Sequence, residues 1–261
     1  MNNFKGIMSV SPAAMDASMT SPSASFWPSV IVKDPAGVER NYDLVSRALA
    51  NRIIYLNGPV DDASTASIEL QLMHLTSQGS GVENPKADID FYINSPGGSV
   101  TAGLKVYDLI QRLHLTKGIK VNTVVTGMAA SMGSFLAMSG TGKRLMMPNS
   151  TNMLHQPLSG SKGQETEMRV SYESILQCRF QLTYAYVRHC GSSLKAKDPT
   201  LTEEQIFDFF WTETERDNFR NAHDSIHIYG MADEILSPEI GLDVPDSILN
   251  NPKYSTLRLR S

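Results

Sequence analysis

The chain predicts an α/β protein built from repeated βαβ units, with one long helix set beyond them. Three observations carry that prediction. Short β-branched runs alternate with stretches of helical period over residues 52–138, the pattern of a parallel sheet with crossover helices. Turn residues follow those runs: Asn57-Gly58-Pro59, Ser95-Pro96-Gly97-Gly98, and Gly127 to Ser131. After that core is complete, residues 165–189 hold a sustained helical pattern.

In chain order, residues 1–27 are rich in Ser, Ala, Met and Pro without a period, and predict a mobile leader. Ordered sequence is expected from Pro28. Tyr42 to Asn51 reads as a short helix and Arg52 to Leu56 as a strand. Ala63 to Gln78 is helical, with Ile68, Leu72 and Leu75 on one stripe, and Gly79 to Lys86 is a loop. Asp88 to Asn94 is the next strand. Val100 to Leu115 follows as a helix that turns Leu104, Tyr107, Leu109 and Ile110 inward. Lys120 to Val125 is the third strand, and a helix runs from Ala130 to Met138. Leu145 to Met147 and Asn152 to Leu154 are short strands. In the helix Glu165 to His189, Met168, Tyr172, Ile175, Leu176, Phe180 and Val187 form an apolar stripe interrupted by Arg179. That stripe suits contact with another subunit and packing on its own domain equally well. Residues 190–200 read as a polar excursion. Thr202 caps a helix to Phe210, with Gln205 completing a capping box. Ala222 to Tyr229 is a short helix ended by Gly230, and Asp233 to Leu236 closes a folded region over 28–236. The tail over 237–261 is expected on the surface.

Composition excludes several classes. A net charge of −4 offers no nucleic-acid surface. No apolar run approaches the roughly 18 residues that a membrane span needs, and the first residues make no secretory signal. Cys178 and Cys190 are too few and too local for a disulfide framework, which points to a reducing, cytoplasmic compartment. No zinc spacing or Walker-type phosphate loop is present, so neither metal nor cofactor is expected.

One serine stands out chemically. Ser131 sits among Gly127, Met128, Ala129, Ala130 and Gly133, the small residues of a tight strand-to-helix elbow. A helix beginning there aims free N–H groups and its positive dipole end at any oxyanion formed on the serine. The competing reading is a packing turn, so partners decide. Serine needs a base, usually a histidine oriented by a carboxylate. Of six histidines, His74 and His114 lie in amphipathic helices and His189 at a helix end. His223 and His227 form an i, i+4 pair on a solvated face with no third metal ligand nearby. His155 ends a short strand that Gln156-Pro157 stops, so rigid backbone holds its ring. For the acid, Asp217 is only marginally better placed than Glu213 or Asp208.

The segments Tyr92 to Gly98, Thr101 to Gly103, Ala129 to Gly133, Gly142 to Arg144, Pro148 to Ser150, His155 to Pro157 and Thr214 to Asp217 occur together and in order. In this the chain resembles the ClpP serine protease family, from about Pro28 to Leu236. The resemblance implies a crotonase-like α/β fold with a protruding handle over about 158–189. It also implies Ser131 as nucleophile, His155 as general base and acid, and Asp217 as the residue that orients the imidazole. The backbone N–H groups of Gly98 and Met132 would form the oxyanion hole, with the polypeptide substrate paired as a strand beside Gly97 and Gly98.

Assembly is implied as well: a homo-oligomer of seven-membered rings stacked in pairs around a chamber, fed by an AAA+ ATPase unfoldase. The leader would be a propeptide or an axial plug. Several features depart from the family pattern. Asp90 and Arg112 replace aromatic residues expected in the ATPase-docking pocket, where Tyr92 is kept, so the partner is expected to be atypical or absent. Insertions at Gly79 to Val82, Thr116 to Gly118 and 190–200, with the long tail, mark a divergent branch, viral or organellar. Two other functions compete: a ring subunit kept as scaffold or regulator, and an acyl-CoA enzyme on the same fold. An intact Ser131, His155 and Asp217 argue against both.

Overall fold

The computed structural model describes residues 28–33, 37–77, 84–242 and 247. The expected leader, the Gly79 to Val82 insertion and nearly all of the tail beyond Leu242 lie outside the described residues. The chain separates into two units, residues 1–44 and 45–261.

In the first unit, β1 (Ser29–Lys33) and β2 (Glu39–Asp43) form an antiparallel ribbon in which Val30 faces Tyr42 and Val32 faces Arg40. Lys33 and Glu39 close its open end at 3.3 Å. The helix expected from Tyr42 therefore starts later, as α1 (Leu44–Ala50), because Tyr42 and Asp43 are held in the ribbon.

The second unit follows as β3 (Ile53–Asn57), α2 (Asp62–Thr76), β4 (Ile89–Ser95), α3 (Val100–Lys117), β5 (Val121–Ala130), α4 (Met132–Met138), β6 (Arg144–Met146), β7 (Thr151–Leu154), α5 (Glu165–Lys197), α6 (Glu203–Glu213), β8 (Asn218–Asn221), α7 (Ala222–His227) and β9 (Glu234–Ile235). Strands β3, β4, β5, β6 and β9 lie side by side in that order, every neighbouring pair parallel. Ile54, Leu56, Phe91, Ile93, Val121 and Val125 are buried between helices that contribute Ile68, Leu72, Val106, Ile110 and Leu136. Caps set the helix limits: Asp61 accepts from Ser64 N at 2.8 Å to start α2, and Thr202 with Gln205 forms the expected box on α6.

Two expectations need correction. The third strand does not end at Val125. It bulges against β4 between Ile93 and Ser95, where Asn94 Oδ1 accepts from Met128 N at 3.1 Å, and then continues to Ala130. Its first half pairs with β6 and its second with β7. The expected turn over Gly127 to Ser131 thus shrinks to Ser131 alone. Residues 190–197, expected as a polar excursion, extend α5 to 33 residues. Cys190, Gly191 and Leu194 face the core at helical spacing, and the polar letters around them are the outer face of the same helix. His189 consequently lies inside the helix rather than at its end.

Candidate active site

Ser131 and His155 each follow a strand by one residue and Asp217 precedes one, and strand register brings them together. In the parallel β5–β7 pair Ala130 faces Met153, and the next step of the ladder is Ser131 N donating to Met153 O at 2.8 Å. In the antiparallel β7–β8 pair Leu154 faces Asn218, so one step further His155 meets Asp217. His155 Nε2 lies 2.8 Å from Ser131 Oγ, and His155 Nδ1 lies 2.9 Å from Asp217 Oδ1. The imidazole is partly buried, its side chain 12% exposed, while the carboxylate is 41% exposed. Gln156 N donates to Thr214 O at 2.6 Å and clamps the residue after the histidine.

Ser131 has φ 53° and ψ −122°, a backbone state that side-chain-bearing residues rarely adopt. It caps α4 through its carbonyl, which accepts from Phe135 N at 3.0 Å, and its hydroxyl makes no capping bond. The hydroxyl is therefore left to the histidine.

Opposite the serine runs Gly97-Gly98, with φ of 91° and 149°. A Cβ on Gly97 would stand 2.6 Å from Ser131 Cβ, so only glycine lets this backbone approach. Val60 pairs with the segment from the far side: Val60 N donates to Gly97 O at 2.8 Å and Ser99 N to Val60 O at 2.7 Å. That bridge spends the groups flanking Gly98 and leaves the Gly98 N–H without an acceptor among the described residues. The Met132 N–H, at the first position of α4, is likewise unspent.

The cleft beside Ser131 is walled by Val100, Met132, Phe135, Leu182 and Tyr186, with Arg179 also lining it. The other acids weighed in the sequence lie elsewhere. Glu213 accepts from Asn218 Nδ2 at 2.6 Å and from the Tyr229 hydroxyl, and Asp208 is exposed on α6. His74, His223 and His227 are exposed. Among the described residues no group of three His, Cys, Asp or Glu could hold a metal ion. No helix among them is long and apolar enough to cross a membrane. Asp90, on β4, accepts from Asn122 Nδ2 at 2.8 Å; Arg112 is exposed on α3; Tyr92 packs on the half-exposed Tyr55, ring centroids 5.3 Å apart. Sequence reasoning passed over Val60 and the cleft position of Arg179, neither of which carries a motif.

Fold and site together define an α/β protein with a mainly parallel sheet, a long helix and a serine–histidine–aspartate constellation at strand ends. The Clp protease family model matches residues 36–239, and the chain belongs to that family. At family level it is a ClpP-like protease, and the 33-residue α5 beside a parallel sheet agrees with that fold.

Proposed function

We propose that this protein is a serine endopeptidase, with Ser131 as nucleophile, His155 as general base and acid, and Asp217 as the residue holding the imidazole tautomer. One observation carries the reading: hydroxyl, imidazole and carboxylate form a continuous hydrogen-bonded row of 2.8 and 2.9 Å. In the first step His155 Nε2 takes the Ser131 proton as Oγ attacks the substrate carbonyl. The oxyanion develops between the N–H groups of Gly98 and Met132, which need no reorganisation to receive it. His155 then protonates the leaving amine, and a water activated by the same nitrogen hydrolyses the acyl-enzyme. The substrate runs extended along the edge of Gly97-Gly98 left open by Val60 and binds through main chain.

The protein acts as a homo-oligomer of seven-membered rings stacked in pairs. The exposed first half of α5, with Met168 45% and Tyr172 63% accessible, supports burial against another subunit. Its ATPase unfoldase partner is atypical or absent: Asp90 and Arg112 would have to be desolvated by an apolar docking loop, at a cost of about several kcal/mol. A fluorophosphonate probe should label the wild type and not Ser131→Ala. Equal labelling of both ends the reading. Native mass measurement checks the ring number, and strong stimulation of protein degradation by a conventional Clp ATPase would refute the atypical partner.

A further inference from the structure

We infer that Arg179 is a specificity-determining residue, making the cleft favour a glutamate side chain over its uncharged isostere at the residue whose carbonyl Ser131 attacks. The inference rests on the peptidase reading above and adds a substrate class to it.

Two properties of the cleft carry it. Its walls are mainly apolar, with Gln156, Thr183 and Thr214 among the lining residues, so an entering side chain needs a hydrocarbon stem. Into those walls α5 delivers a guanidinium whose orientation is already set. Arg179 Cζ lies 3.7 Å from the Trp211 ring centroid, and its Nη2 donates to Trp211 O at 2.7 Å. Stack and hydrogen bond hold the plane, so little rotamer freedom is lost when a ligand arrives.

The rest of the fork is unspent. Nε is buried without a partner, and Nη1 has no acceptor among the described residues. Exposed Glu215 acts on the guanidinium only through its field, and burial is the larger influence on it. Nε is closed off from solvent, so Nη1 is the N–H left to meet a ligand oxygen in the cleft, and a charged oxygen makes the stronger bond to it. Glutamate supplies both the methylene stem and a charged, two-oxygen tip suited to a guanidinium. Glutamine offers one neutral oxygen, and leucine fills the walls but leaves Nη1 unmet.

The test uses three peptides identical except for Glu, Gln or Leu before the scissile bond. In the wild type kcat/KM for the Glu peptide should exceed that for the Gln peptide by roughly tenfold, the scale of one charge-assisted hydrogen bond. Arg179→Met should bring that ratio to about one, and Arg179→Lys should retain part of it, because a charge without the fork remains. The ratio, not the absolute rate, is the readout. Should Arg179→Met fail to fold once its Trp211 stack is gone, the wild-type ratio must still fall as salt is raised. A wild-type ratio near one, or a ratio that ignores both substitution and salt, overturns the inference while cleavage of the Leu peptide leaves the peptidase reading standing. Absence of cleavage of all three, with Ser131 unlabelled by fluorophosphonate, removes both.

Discussion

His155 and His189 are chemically the same ring, and each sets Nε2 against a hydroxyl: Ser131 Oγ at 2.8 Å for the first, the Tyr107 hydroxyl at 3.2 Å for the second. What differs is the charge on the other side. His155 has the Asp217 carboxylate on Nδ1, whereas His189 stands near Arg144 and Arg188 inside α5, where burial and those two cations hold its pKa down at about 4. A carboxylate partner stabilises an imidazolium as it forms; a desolvated ring between cations stays neutral and packs. A histidine–hydroxyl contact thus carries no chemistry by itself. Its third partner decides, and that partner arrives from far along the chain.

Removing the carboxylate should have the largest effect. Asp217→Asn should keep the geometry and lower kcat by about 10⁴-fold through the wrong tautomer, with the urea midpoint little changed. A loss below tenfold in peptide turnover would mean that His155 needs its carboxylate no more than His189 does.

Next in size is the cation of the second site. Arg144 is buried and bonds Asp233 through two nitrogens, the carbonyl of His189 at 3.0 Å and the hydroxyl of Ser193 at 3.4 Å. Arg144→Met leaves the Asp233 carboxylate without its cation, keeping only the bond from the residue-144 backbone N–H at 2.8 Å, and should cost about 3 kcal/mol, the low end for a broken buried pair because the carboxylate is 40% exposed. Equilibrium unfolding in urea measures it, and a cost under about 1 kcal/mol contradicts the structural role.

The pH dependence sharpens the contrast further. Because the folded pKa of His189 lies below its unfolded value of 6.5, the unfolded chain binds the extra proton first. The stability contributed by the neutral ring is thus complete above about pH 6.5 and drains away as pH falls towards 4. Allowing for the ring's partial exposure, the loss should be about 2 kcal/mol, and His189→Gln should flatten the curve across that window. Identical pH profiles for the two proteins would contradict a depressed pKa. The smallest effect belongs to Tyr107→Phe, which strips His189 of its hydroxyl partner and should cost about 1 kcal/mol by thermal unfolding, leaving the Ser131 site untouched.

Much of this was legible in the sequence. Ser131 announced itself by its small neighbours, and His155 by a strand that Gln156-Pro157 had to stop. The glycine pair opposite them was visible as a turn signal. Asp217 could not be separated from Glu213 or Asp208, since the choice depends on the β7–β8 register, which joins residues 62 apart. Arg179 read as an interruption of an apolar stripe, because the Trp211 ring that holds its guanidinium beside the cleft comes from another helix. The end of α5 was misplaced for a related reason. Polar letters dominate residues 190–197, and only the three positions facing the core keep the helix going.

By itself the amino-acid order determined the alternation of strand and helix, the residue types able to do acyl-transfer chemistry, and the places where backbone had to turn. Those are local properties, settled by period, cap and steric freedom within a few residues. Tertiary structure alone decided which acid meets which imidazole, which histidine is held neutral by burial and two arginines, and which edge of Gly97-Gly98 Val60 occupies. Each of those outcomes is a distance between segments remote in the chain, and strand register and core packing set such distances where no short window of sequence records them.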